Sequence, residues 1–195
     1  SETYRIATYA TPLSRDGPGL LLRDLLKGDD AQINAAQAVI RHIDPDVLVL
    51  TDFDYDRDGQ ALQRFAALFG DRYTHYFALR PNTGVATGLD LAQNGRTGEA
   101  RDAQGYGRFA GDGGMASLSS LPVKADDVIN HSELLWQDLP GATLPMTDAG
   151  PFLPAEVRAI QRLSTAGHWI VPVQPAQAEP FHIMAYAATP PVFDG

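Results

Sequence analysis

The chain has no cysteine, which excludes disulfides and thiolate chemistry and leaves the compartment open. Basic charge is also scarce. Lys and Arg number 15 against 24 Asp and Glu, the net charge is −9, and no two basic residues are adjacent. Sequence-independent binding to a nucleic-acid backbone needs clustered cations. That class is excluded, while a small phosphoester held through a metal stays open. No apolar run approaches the ~20 residues of a membrane span, so no membrane partner is expected. No Gly-x-x-x-x-Gly-Lys occurs, which removes nucleotide binding of the phosphate-loop type. Ser117, Ser119 and Ser120 alternate on a strand-like stretch with no nucleophile elbow around them. The chain starts "SETYRIATY", without Met, a start that fits either a mature exported protein or a trimmed one.

What is present reads as globular. Hydrophobic residues make up 44% of 195, enough for one sizeable core and a single domain over residues 1–195. "YRIATYA" alternates like a strand, and "DVLVL" is an apolar run of the kind buried on both faces. Three helices are predicted between and after them. The first follows Gly17-Pro18 and stops at Gly28. The second carries Ile33, Ala36, Val39, Ile40 and Ile43 on one face and stops at Asp44-Pro45. The third shows Leu62, Phe65, Ala66 and Phe69 and stops at Gly70.

Residues 80–114 are glycine-dense and lose apolar periodicity, which marks a long functional or mobile loop. "GMASLSSLPV" then reads as a strand, "HSELLWQDLPGA" as a short helix or turn, "LPAEVRAIQRLS" as a helix, and "HWIVPV" and "PFHIMAYA" as neighbouring strands. Helices and strands alternate early and strands dominate late. The fold class is therefore mixed α/β (α+β), a sandwich rather than a doubly wound sheet.

The stretch "LTDFDYDRDGQALQRF" sets four aspartates at positions 52, 54, 56 and 58, directly before Gly59. Asp54-x-Asp56-x-Asp58-Gly59 is the first half of a calcium loop, yet its twelfth position, which should be a bidentate Glu, is Phe65. Asp90-x-Ala92-x-Asn94-Gly95 is a weaker echo, with Arg101 at its twelfth position. Ca2+ is therefore the less favoured ion. Acidic residues at a helix start contribute ~0.3–1 kcal/mol each, which suits Asp56 and Asp58 and, by extension, Asp54. Asp52 differs, because it sits at the carboxyl end of a buried strand, where α/β folds place ligands. It is the candidate site residue.

Seven ordered segments, "RIATYA…LSRDGPG", "PDVLVLTDFDYD", "RPNTGVATGLD", "RDAQGYGRFAGDGGMASLSSLP", "LLWQDLPGA", "GHWIVPV" and "ATPPVFDG", resemble the endonuclease/exonuclease/phosphatase superfamily, in a bacterial, often secreted branch. The resemblance runs over nearly the whole chain. It implies two packed mixed β-sheets flanked by helices, a DNase-like sandwich that this chain fills incompletely at its C-terminus. It implies hydrolysis of a phosphodiester or phosphomonoester with Mg2+ or Mn2+, acting on a small phosphoester or nucleic-acid-like substrate, in a secreted or periplasmic setting. In such enzymes the metal polarises the phosphoryl oxygen while an Asp/His pair activates water.

Carried over by position, the family's acidic metal ligand falls on Asp52, its strand-end Asn on Ala10 and one catalytic His on Ala187; the later Asp-x-Asn and Asp-His elements have no counterpart within the 195 residues. The 195 residues are thus expected to be inactive or impaired, with a longer chain, a second polypeptide completing the fold, or a shortened relative as the explanations. The alternative is a non-catalytic binding or structural module that keeps the sandwich and uses residues 80–114 as a contact surface.

His168 starts a strand that the family runs past its catalytic edge, so it is the catalytic candidate, against a plain structural role. Arg101, Tyr106 and Arg108, with Asp102 beside them, lie in the glycine-dense loop. The two arginines and the tyrosine are the substrate-binding candidates, against a loop whose Arg and Asp simply pair with each other. His42, His75 and His131 show no ligand partner at local spacing, which argues against zinc. His182, Trp136 and Trp169 read as structural.

Overall fold

The computed structural model describes residues 2–188. Its elements are β1 (Ile6–Leu13), α1 (Leu20–Lys27), α2 (Ala31–Ile43), β2 (Val47–Phe53), α3 (Gln60–Ala67), β3 (His75–Phe77), β4 (Gly114–Ser119), β5 (Ile129–Asn130), β6 (Met146–Thr147), β7 (Gly150–Pro151), α4 (Ala155–Arg158), β8 (His168–Val173) and β9 (Phe181–Tyr186). The first sheet has the order β1-β2-β4-β3, with β1 and β2 parallel and the other pairs antiparallel. Parallel neighbours need a crossover, and α1 and α2 supply it. A second sheet, β5-β8-β9, is antiparallel throughout, and β6 and β7 form a separate short pair.

The alternation of β2 explains the layering. Leu48 and Leu50 point into a core shared with Leu21, Leu25, Ile33, Ala36, Ile40, Leu62 and Phe65 of the three helices. Val49, on the opposite face, joins Met115, Trp169, Val171 and Ala185 between the two sheets, where Phe77 meets Trp169 edge-on at 5.5 Å. So helices cover one face of the first sheet and the second sheet covers the other. This is the mixed sandwich read from the sequence.

Helix ends follow local chemistry. Asp30 caps α2 by accepting from the Ile33 N–H at 2.9 Å, and Asp44, at φ 48°, ends it. Arg15, in the turn after β1, ties that turn to α1 and α2 through Asp24 (2.9 Å) and Asp30 (3.2 Å). The apolar stripe of α2 is narrower than expected, because Val39 and Ile43 are each 41% exposed. The helix predicted over "LPAEVRAIQRLS" shrinks to the single turn α4. The Gln104 side chain takes the Ile160 carbonyl (2.7 Å) and the Arg162 N–H (3.1 Å), groups that a longer helix would need for its own ladder.

Residues 80–114 form a loop with one 3-10 turn, and they are held by polar anchors rather than apolar burial. Asn82, 1% exposed, donates to the carbonyls of Ser132 and Ser164 (2.7 Å each) and accepts from Arg162 (2.7 Å). Gly84, at φ +71°, lies so close to the Phe109 carbonyl that a Cβ would fall 1.8 Å from its oxygen. Only glycine fits there.

Candidate functional site

The carboxyl ends of β1 and β2 splay apart after the Ala10–Thr51 pair, and the register shifts before Leu13 and Phe53. Thr11 Oγ1 bridges the opening by donating to the carbonyls of Thr51 (2.9 Å) and Asp52 (3.2 Å). Asp52 follows with φ 57°, a left-handed backbone uncommon outside glycine that persists where its surroundings hold it. Its side chain is exposed and stands over Gly113, where a Cβ would come to 3.2 Å of Oδ1. Asp52 is therefore a free carboxylate at the sheet edge.

Asp54 does something else, and here the sequence reading is corrected. It does not serve the start of α3. It is 6% exposed, and its two oxygens accept from the backbone N–H of Arg15 (2.7 Å) and of Gly113 (2.8 Å), which fastens the β1–α1 turn to the glycine loop. Burial pushes its carboxyl up to about 6 in spite of those two bonds, and the nearby charges of Asp112 and Asp52 add to the rise. Asp56 is the helix-start residue, accepting from Gln60 N–H (2.7 Å) and Ala61 N–H (3.0 Å). Asp58 is exposed. The half calcium loop is thus taken apart: Asp54 and Asp56 spend their oxygens on separate backbone groups, and Phe65 at the twelfth position is fully buried. In the weaker echo, Asp90 likewise accepts from the N–H groups of Asn94 (3.1 Å) and Gly95 (2.6 Å).

Around this edge, Asp112 accepts from the Arg108 N–H at 3.0 Å, while the Arg108 guanidinium pairs with Asp16. Arg101 and Tyr106 are exposed, the latter at 65%. Arg108 also lines a cavity of about 220 Å³ with Thr87, Glu99 and Asp102. Asp102 is 2% exposed and fully engaged, its carboxylate accepting from Ala92 N–H (3.1 Å) and Glu99 N–H (3.0 Å). Of the substrate-binding candidates, then, only Arg108 reaches this network.

Ala10 is exposed on β1, and Ala187 packs half-buried against the inter-sheet core. His168 follows Gly167 at the start of β8, but its ring neighbours are His131 at 5.7 Å and Tyr186 at 5.8 Å. Trp169 fills the inter-sheet layer, so His168 is turned to the outer face of the second sheet, away from the layer that Val49 and Met115 share.

Measured against the donors a hard divalent cation needs, the edge does not fit. Such ions take several oxygen ligands. Asp52 is available, Asp54 is buried and engaged by two backbone N–H groups, and Ala10 offers only a methyl group. Among the described residues no group of three or more His, Asp or Glu side chains could hold an ion.

Sequence reasoning missed Asp54 and Asn82. The Asp54–Gly113 contact spans 59 positions, and nothing local announces it. An aspartate beside a buried Phe53, directly after an apolar strand, was the one available signal.

The sequence model of the Endonuclease/Exonuclease/phosphatase family matches residues 22–188. Among solved structures, an endonuclease/exonuclease/phosphatase from Beutenbergia cavernae DSM 12333 is similar with a TM-score of 0.50 and 19% identity, over 97% of this chain and 39% of its own. The chain therefore spans well under half the length of that structure. Among curated proteins none matches. The family match extends from Leu22, within α1, to the last described residue, taking in all but the first strand of the sandwich, and on it the chain belongs to the endonuclease/exonuclease/phosphatase family.

Proposed function

We propose that the protein is a phosphoester-hydrolase relative whose 195 residues, by themselves, turn over phosphoesters little or not at all. Family membership supports hydrolase-like chemistry on a phosphodiester or phosphomonoester, assisted by Mg2+ or Mn2+. One observation carries the second half of the reading: Asp52 stands unbonded beside Ala10, which has no donor, while the neighbouring Asp54 and Asp112 carboxylates are each engaged by backbone N–H groups. At this edge Asp52 offers one oxygen and Asp54 holds the two flanking loops in place, a donor set too small for the ion that the family chemistry requires. Loss of an acid–base or electrostatic group typically costs about 10²–10⁴ in rate, which supports severe impairment.

Bis-(p-nitrophenyl) phosphate incubated with the pure chain and Mg2+ or Mn2+ tests this. Release of p-nitrophenolate at the background rate is expected. Divalent-dependent turnover that Asp52→Ala abolishes would contradict it. The proposed setting is secreted or periplasmic, on the resemblance to exported bacterial members. The second reading is a non-catalytic contact module, and exposed Tyr106 and Arg101 on the glycine-dense loop favour it. It gains if Tyr106→Ala abolishes association with a partner while the phosphoester assay stays silent.

A further inference from the structure

The outer face of the second sheet carries a row of side chains that no motif in the sequence announces. β5 pairs with β8 at Ile129–Ile170 and Asn130–Trp169, and the next residue, His131, donates its N–H to the His168 carbonyl at 2.8 Å. On the other side, β9 sets Tyr186 opposite His168. His131, His168 and Tyr186 therefore stand side by side across three strands, with the two imidazole rings 5.7 Å apart. Local sequence spacing offers His131 no such neighbour: His168 lies 37 positions away in sequence (168 − 131) but adjacent in the sheet. His168 Nε2 is buried and has no hydrogen-bond partner. An imidazole nitrogen hidden from water without a partner is costly and invites an occupant.

We propose that His131 and His168 form a two-imidazole site for a borderline divalent cation such as Zn2+, Ni2+ or Cu2+. Residues directly opposite on antiparallel strands have Cβ atoms about 4.5–5.5 Å apart. Two imidazoles on that footing can share one ion at metal–nitrogen distances of about 2.0–2.1 Å. His131 is exposed and can turn toward the buried Nε2 of its neighbour, while Tyr186 walls the far side. Nitrogen donors select these cations over Mg2+, which prefers oxygen. No third His, Asp or Glu joins the pair among the described residues, so water completes the coordination. The ion would bolt the two-residue strand β5, which has few ladder bonds of its own, onto β8. Binding of this kind stabilises the folded chain by mass action.

Calorimetric titration of the full chain with Zn2+, followed by a thermal melt, tests the proposal. One equivalent of Zn2+ and an upward shift of the melting temperature are expected. Both should vanish in His131→Ala, whose exposed side chain can be removed without disturbing the fold, and also in His168→Gln. They should persist in His182→Ala, in Asp52→Ala and in excess Mg2+, which separates this site from the sheet edge. Absence of uptake, uptake that survives His131→Ala, or displacement by Mg2+ would overturn the assignment.

Discussion

The half of the molecule built on α1, α2, α3 and the first sheet is held by apolar burial: Leu13, Ala36, Leu50, Phe65, Ala116 and Leu118 are all fully buried there. The half made of residues 80–114 and the connections to the second sheet is held by polar side chains: Asn82, Gln104 and Asp54 reach backbone groups 50 or more positions away, and Asp102 fastens the loop to itself. The difference teaches where precision comes from. Apolar packing positions elements, while hydrogen bonds accepted by buried carboxylates and made by buried amide side chains position loops, and the candidate site sits where the two regimes meet.

The contrast can be broken in several ways. The largest effect is expected for Phe65→Ala, which should cost about 3–5 kcal/mol in urea unfolding, because Phe65 is fully buried and touches both Phe53 and Phe69. Next comes Asn82→Ala. It strands two carbonyls and takes one acceptor from the Arg162 guanidinium, and it should cost about 2–3 kcal/mol, with loss of amide protection concentrated near residues 132 and 164. A cost near zero would erase the claim that polar anchors hold this half. Asp56→Ala should cost about 1 kcal/mol as a lost helix-start acceptor, with fraying confined to α3.

The contrast can also be read as a pH slope. In the folded chain the Asp54 carboxyl sits at about 6 against an ordinary 3.8. Between those values the folded chain holds a proton that the unfolded chain has released, so this group favours folding at low pH and its contribution is lost as pH rises through the folded value. Asp24 works in the opposite sense: hydrogen bonding from Arg15 holds its carboxyl below the usual range, so its contribution is lost as pH falls. Urea midpoints measured from about pH 4 to about pH 7 should therefore decline more in the natural chain than in Asp54→Asn. Parallel profiles would show that burial does not govern Asp54.

Much of the first half was legible in the sequence. Period-3.6 stripes, the stops at Gly28 and Asp44, and the run "DVLVL" rest on local physics, and α1, α2 and β2 fall where that physics puts them. The order of elements, alternating early and strand-rich late, already pointed to a mixed sandwich, and the resemblance agreed with it. What stayed hidden depends on distant partners. Asp54 looked like one of four similar aspartates until Gly113 and Arg15 met it. The expected helix around residues 153–164 gave way to partners distant in sequence, the Gln104 side chain and the backbone of residues 134–136. His131 and His168 became neighbours only through strand register. At the site, Asp52 was identified from its place after a buried strand, and the structure leaves its carboxylate free at that edge.

The central claim is that this edge offers one usable carboxylate, too few for a tight divalent site. Electron paramagnetic resonance of Mn2+ titrated into the natural chain and into Asp52→Ala tests it most directly. Two superimposable titrations with no saturable uptake at the edge are predicted. A saturable Mn2+ site that disappears in Asp52→Ala would contradict the claim and restore a working metal centre to the 195 residues.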